Sequence, residues 1–299
     1  MKKILFCILL LLLWASPALS DEVEDRLGAM ATEQQRTVTR AMIDAGIDPE
    51  DSILMTQAMI RNRFRDQYMV RAQQMVIEAK KGNLPVEPVM NKAFEGIAKN
   101  APDEAVVRAM ETVLSRYSYA YAHALRYTQQ NTYQRKIGNA IAEATTAGLA
   151  NGDVDQLMTQ LQLSRQQRDR YRDNTDSDEF ALESFQMARD MMRLGVPTDE
   201  TEAVISQAIR QTGFTVQNMQ QMRHRFREQA SLVDPEQLAL EYSRAIREGA
   251  EPGSDMSENA SHGSSADNSS GSSGGSGSGN SGDSGSGDSG GGDSGGGRK

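Results

Sequence analysis

The sequence predicts an all-α chain, built as stacked helical repeats of the α-solenoid kind or as a multi-helix bundle, and followed by a disordered tail. Three observations predict it. Apolar residues return at spacings of three and four through residues 21–249, as in Ile53, Met59/Ile60, Phe64, Tyr68, Met75/Val76 and in Val106/Val107, Met110, Val113/Leu114, Tyr117. No stretch of that body alternates strictly with β-branched residues, so no sheet is expected. Finally, one motif recurs. Residues 61–67, 168–174 and 223–229 share R-x-R-[FY]-R-[DE]-[NQ], and Arg116-Tyr117 is a degenerate copy. The rings at Phe64, Tyr117, Tyr171 and Phe226 are spaced by 53, 54 and 55 residues, a period that suits helical units stacked on their neighbours.

The 299 residues divide into a leader, 1–20, a body, 21–249, and a tail, 250–299. The leader starts with Lys2-Lys3, runs through the apolar stretch Ile4 to Trp14, breaks at Pro17 and offers Ala18-Leu19-Ser20 before Asp21. That is the layout of a secretory signal peptide. Its apolar run is too short to cross a hydrocarbon core of about 30 Å. After cleavage no transmembrane segment would remain.

Within the body, Asp48-Pro49 and Asp234-Pro235 each pair an N-cap with proline at the first helical position. Pro102-Asp103-Glu104 places two acids in a first turn, where they suit the helix dipole. Gly46, Gly82, Gly148, Gly195 and Gly249 each follow an apolar-periodic run and suit the left-handed residue that ends a helix. These signals predict one long helix from 49 to about 81. Three units of three helices follow: 86–99, 102–130 and 132–147; 153–162, 164–173 and 177–194; 198–212, 215–231 and 234–248. The tail holds 16 Gly and 16 Ser in 50 positions. It has too few apolar side chains to offset its chain entropy and is expected to stay disordered.

Charge and residue usage exclude several functions. The chain carries a net −9 and the body −6, the wrong sign for a general nucleic-acid binder. Cys7 is the only cysteine and lies in the leader, so the mature chain would have no disulfide, thiolate nucleophile or cysteine metal site. Export without disulfides fits a periplasmic or secreted bacterial protein. The histidines, at 123, 224 and 262, stand apart from one another, and no metal site, cofactor or catalytic constellation is expected. Residues 287–291 and 292–296 spell G-D-S-G-G, similar to the nucleophile segment of chymotrypsin-like proteases. A Gly/Ser coil cannot hold a serine in a triad. Asp283, Asp288 and Asp293 resemble calcium-binding Gly/Asp repeats but lack the apolar residue each turn requires. Glu183-Ser184 resembles the Glu-Ser of lytic transglycosylases, without the Gly-rich segment expected downstream. Residues 31–36 and 163–168 are similar to the paired L-T-x-x-Q motifs of small periplasmic stress chaperones, and both also read as capping boxes.

The candidate site residues are the motif side chains and two tyrosines. Arg61, Arg63, Phe64 and Arg65, then Arg168, Arg170, Tyr171 and Arg172, then Arg223, Arg225, Phe226 and Arg227 are expected to occupy equivalent seats. In one reading the ring is buried between units and the arginines pair with neighbouring acids. In the other, a row of guanidinium forks grips an anionic ligand. Tyr119 and Tyr127 share a helix face with His123 and are candidates for a groove that takes a peptide or glycan. The expected function is an exported binding or scaffolding module for a protein or envelope polymer, and not an enzyme. The alternatives are a periplasmic chaperone or anionic-polymer binder and, third, a peptidoglycan-acting hydrolase.

Overall fold

A computed structural model describes residues 18–168 and 174–249. Twelve α-helices occupy them: α1 (Ala18–Leu27), α2 (Glu33–Asp44), α3 (Pro49–Arg61), α4 (Asp66–Lys81), α5 (Glu87–Ala98), α6 (Asp103–Tyr127), α7 (Asn131–Ala147), α8 (Asn151–Arg168), α9 (Asn174–Arg193), α10 (Thr198–Arg210), α11 (Val216–Gln229) and α12 (Pro235–Glu248). A single 3-10 turn, Gly28–Met30, follows α1, and no strand occurs among the described residues. The leader through Pro17, the segment 169–173 and the tail from 250 lie outside the description, and with them the signal-peptide and disordered-tail expectations.

The helices begin and end on local chemistry. The Asp48 carboxylate accepts from the Glu50 and Asp51 amides, and Asp234 does the same for Glu236 and Gln237. Thr32 and Gln35 form a reciprocal capping box at the start of α2. The helix ends share one device. At six of them a residue with positive φ is followed by an apolar residue whose amide returns to the carbonyl five positions back. The returning amides are Ile47 to Met42, Phe64 to Met59, Leu84 to Ala79, Ala101 to Gly96, Leu149 to Ala144 and Val196 to Met191. Three of the preceding residues are Gly46, Gly148 and Gly195, but the others are Arg63, Asn83 and Asn100. Gly82, expected to be left-handed, keeps φ −79 as the C-cap of α4, and Asn83 takes φ 55 in its place.

Two expected elements are corrected, the first by this device. The long helix 49–81 is broken at residues 62–65, because Arg63 adopts φ 55 and Phe64 closes the end of α3. No glycine or proline marks that break. Conversely, α8 runs unbroken through Leu163 and Ser164, where a helix start was expected. Its buried stripe of Val154, Leu157, Met158 and Leu161 continues to the preceding turns, and Ser164 is not a cap. Of the two chaperone-like boxes, then, Thr32 begins a helix and Ser164 lies within one.

Every extensive helix–helix contact joins helices one or two places apart in the chain. Helices α2, α4, α6, α8, α10 and α12 form one continuous row by i, i+2 packing. Helices α1, α3 and α5 form a second row, which resumes as α7, α9 and α11. This is the nearest-neighbour order of a helical stack, in which each unit covers its neighbour's apolar face. The one missing step is α5 to α7. There α6, whose 25 residues extend about 37 Å, bridges the halves. Its Val106, Val107, Met110 and Val113 enter the core of the first half, and its Ala120, Ala124 and Tyr127 enter the core of the second. Tyr117 touches both. The methionines serve as filling: Met55, Met59, Met69, Met75, Met191, Met219 and Met222 are fully buried.

Candidate functional site

The rings of the recurring motif sit in unlike places. Phe64 is the apolar closing residue of the α3–α4 turn, equivalent to Ile47, Leu84 and Leu149. Phe226 lies inside the last turn of α11, fully buried and edge-on to Tyr242 at 5.3 Å between ring centres. Tyr117 lies in mid-α6, and Arg170, Tyr171 and Arg172 fall outside the described residues, as does the side chain of Arg168. The motif therefore does not mark equivalent seats. The helix-end turn recurs instead, and it needs only a left-handed residue followed by an apolar one.

The motif arginines are correspondingly dispersed. Arg65 Nη2 donates to Asp103 Oδ1 at 2.7 Å and its Nε to Oδ2 at 2.8 Å, while its guanidinium stacks 4.4 Å from the Tyr68 ring centre. Arg223 reaches Glu183 at 3.2 Å and also contacts Gln186. Arg61 and Arg63 are exposed around the α3 end and Arg227 is exposed on α11. Arg225 lies close enough to Tyr242 to act on its hydroxyl. Glu183, the transglycosylase-like acid, is buried on α9 and held by Arg223 and by Gln220 Nε2 at 3.2 Å.

The Arg65 guanidinium and two backbone amides hold the Asp103 carboxyl well below the usual carboxylate range. A depressed folded-state pKa stabilises the fold above the unfolded value, near 3.9, and that stabilisation is lost as pH falls. Asp103→Asn should therefore flatten the acid side of a melting-temperature profile below about pH 4.5 and leave its neutral slope unchanged. Identical acid limbs in the two proteins would show that the pair contributes nothing.

The two candidate tyrosines are both tied down. Tyr127 is buried, donates to the Ser177 carbonyl at 3.0 Å and lies under the Arg165 guanidinium. The Tyr119 hydroxyl is 2.8 Å from the Asn151 carbonyl and 2.9 Å from Asp155 Oδ1, which also lies 3.0 Å from His123 Nε2. Burial pushes the Tyr119 hydroxyl up, helped by Asp155, and burial also lowers the His123 imidazole. These contacts join α6 to α8 and α9.

Tyr119 lines an open cleft of about 710 Å³ with Arg116 and Asn151, and another cleft, with a more apolar floor, lies on the neighbouring face of α6. Where the α5–α7 packing step is missing, this second cleft, of about 510 Å³, opens between the α4–α5 turn, the C-terminal half of α6 and the start of α7. Leu84, Tyr121, Ala122 and Leu125 give it an apolar floor, and Leu125 is 58% exposed. Its rim carries Asn83, Asn131, Gln134 and Arg135. Tyr121 is fixed on two sides: its hydroxyl donates to Asn139 Oδ1 at 2.9 Å, and its ring lies flush against the bare Cα of Gly138. Burial pushes that hydroxyl up to about 12. Gln134 spends one amide proton on the Thr128 carbonyl at 2.8 Å, which leaves its own carbonyl oxygen available. Arg135 makes no ion pair among the described residues.

Tyr121 and Leu125 lie on a face that the periodicity of α6 already marks. Asn83, Asn131, Gln134 and Arg135 escape a sequence reading because they come together only through the missing packing step. Gly138 is the one local signal, a glycine inside a helix with no turn to explain it. No group of acids, histidines and cysteines able to hold a metal occurs among the described residues, and none of the helices described is long and apolar enough to cross a membrane. Comparison with family models, curated proteins and solved structures finds no match for this chain.

Proposed function

We propose that this chain is an exported, non-enzymatic binding or scaffolding module of the bacterial envelope, and that it engages its partner through the α4–α6–α7 cleft. The observation that supports the reading is the cleft itself. A helical stack buries each apolar face under the next unit, yet here one step is skipped, Leu125 remains exposed and Tyr121 is only half-buried. A pocket with an apolar floor and a few hydrogen-bonding groups on its rim is the usual form of a recognition site. Charge usage argues against nucleic acid as the partner, and the N-terminal 20 residues support export.

The test is a photo-crosslinking side chain at position 125 of the full chain, expressed in a Gram-negative host, with position 163 as control. Leu163 is also exposed, at 57%, but lies on α8 away from the cleft. The expected result is mature protein starting at Asp21 in the extracytoplasmic fraction, with adducts from position 125 and none from 163. Adducts from neither position, or equally from both, would overturn the cleft as a binding site, and retention in the cytoplasm would overturn export.

A further inference from the structure

Resting on the cleft as a binding site, we infer that its ligand is an extended peptide segment carrying an acidic side chain next to an apolar one. The argument starts from what each wall can offer. The floor of Leu84, Tyr121, Ala122 and Leu125 can desolvate one or two apolar side chains. It is preformed, because Gly138 lets α7 approach until the Tyr121 ring fills the gap and Asn139 anchors the hydroxyl, so little ordering cost remains for binding.

The rim speaks for a peptide backbone. Asn83 and Asn131 make no side-chain hydrogen bond among the described residues. Each primary amide carries both donors and an acceptor, and can therefore pair with the N–H and C=O of one peptide unit. The Gln134 carbonyl oxygen adds a third acceptor, since only its nitrogen is engaged. Asn83 sits on the α4–α5 turn and Asn131 and Gln134 at the start of α7, so the amides stand on opposite walls of the floor. An extended chain laid along the cleft would meet both.

Charge selects the acidic class. Arg135 is the one charged residue among those lining the cleft, and it has no carboxylate partner among the described residues. Glu87 acts on Tyr121 from nearby but does not line the cleft. An unpaired guanidinium beside an apolar floor complements a carboxylate flanking a buried apolar side chain, and a guanidinium takes a carboxylate in a fork. A basic peptide would meet repulsion there, and a neutral glycan would leave Arg135 unused.

The probe is an array of octapeptides of mixed composition, overlaid with the full chain. The wild type should enrich peptides in which Asp or Glu neighbours Leu, Ile, Met or Phe. A soluble peptide from that enriched set should bind Arg135→Gln about tenfold more weakly by fluorescence anisotropy, and Leu125→Asn likewise, with melting curves matching wild type. Glu87→Gln should leave the affinity unchanged. Bound peptides without acidic enrichment, or undiminished affinity in Arg135→Gln, would overturn the inference. So would a position-125 crosslink that joins the chain to a glycan polymer and not to a polypeptide, an outcome in which binding at the cleft stands and only the ligand class falls.

Discussion

Asp178→Ala is expected to destabilise the helical body by about 3 kcal/mol, as breaking one side of a buried ion pair commonly does. Asp178 is fully buried on α9. Its Oδ1 accepts from Arg165 Nη1 at 2.8 Å and its Oδ2 from the Thr128 hydroxyl at 2.7 Å. Arg165 also donates to the Tyr127 carbonyl at 2.8 Å and stacks over the Tyr127 ring. Arg165 of α8 and Thr128 of the α6–α7 turn thus meet at one α9 carboxylate, and Arg165 carries the link on to Tyr127 of α6. Removing the carboxylate takes from a largely buried guanidinium its ion-pair partner, and takes from the buried Thr128 hydroxyl the acceptor of its proton. Each is a desolvated group that loses a stabilising contact. Urea unfolding of the two proteins measures the difference as a shift in midpoint at constant slope. Asp178→Asn should fall between them, since an amide fills the same volume and can still accept from Thr128. If Asp178→Ala unfolded within about 0.5 kcal/mol of wild type, the carboxylate would not be what holds α6, α8 and α9 together.

The difference between what local pattern reveals and what only packing reveals can be followed along α6. The periodicity that places Val106, Met110 and Val113 on one stripe also places Tyr117, Tyr121 and Leu125 there, and the all-α class follows from many such stripes without alternation. Asp48 and Asp234 are legible as caps because the carboxylate, the proline and the acidic first turn act within four residues of one another. The α3–α4 break was not legible, because its left-handed residue is Arg63, and an arginine at φ 55 leaves no mark in composition. The Arg-aromatic motif misled for a related reason. Three arginines around a ring carry no information about whether that ring closes a helix end from outside, as Phe64 does, or is buried within the helix, as Phe226 is. The cleft lay further out of reach. It exists because α5 and α7 do not stack, and that is a property of two helices separated in sequence by α6, not of any segment. The Asp178 site shows the same limit: Arg165 and Thr128 become its partners only once α8 and the α6–α7 turn close on α9.

Gly138 is where that long-range packing rests on one residue, and Gly138→Ala is expected to lower stability although alanine is the better helix former. In an exposed helix the exchange would gain about 1 kcal/mol. In α7 the added Cβ would stand 2.5 Å from Tyr121 Cδ2 and 2.7 Å from Cε2, well inside contact distance. The ring cannot simply turn away. Its hydroxyl is held by Asn139, on the same helix as the new methyl group, and Tyr117 lies 6.3 Å away along α6. Either α7 moves off α6 or Tyr121 leaves its rotamer, and overpacking of this kind costs about 1–3 kcal/mol, with the helix gain set against it. The net loss should reach up to about 2 kcal/mol, a fall in melting temperature of up to about 8 °C, at about 2–4 °C per kcal/mol for a body of this size. Gly152→Ala is the matched control, because a Cβ there meets nothing within 4 Å in the first turn of α8. It should leave the melting temperature unchanged or raise it. The same substitution at 138 should also disturb the cleft, since Tyr121 forms its floor, so peptide affinity and crosslinking from position 125 should fall together with stability. If Gly138→Ala melted at or above the wild-type temperature and kept full affinity, the close approach of α7 to Tyr121 would not be what shapes the cleft, and the skipped step between α5 and α7 would need another cause.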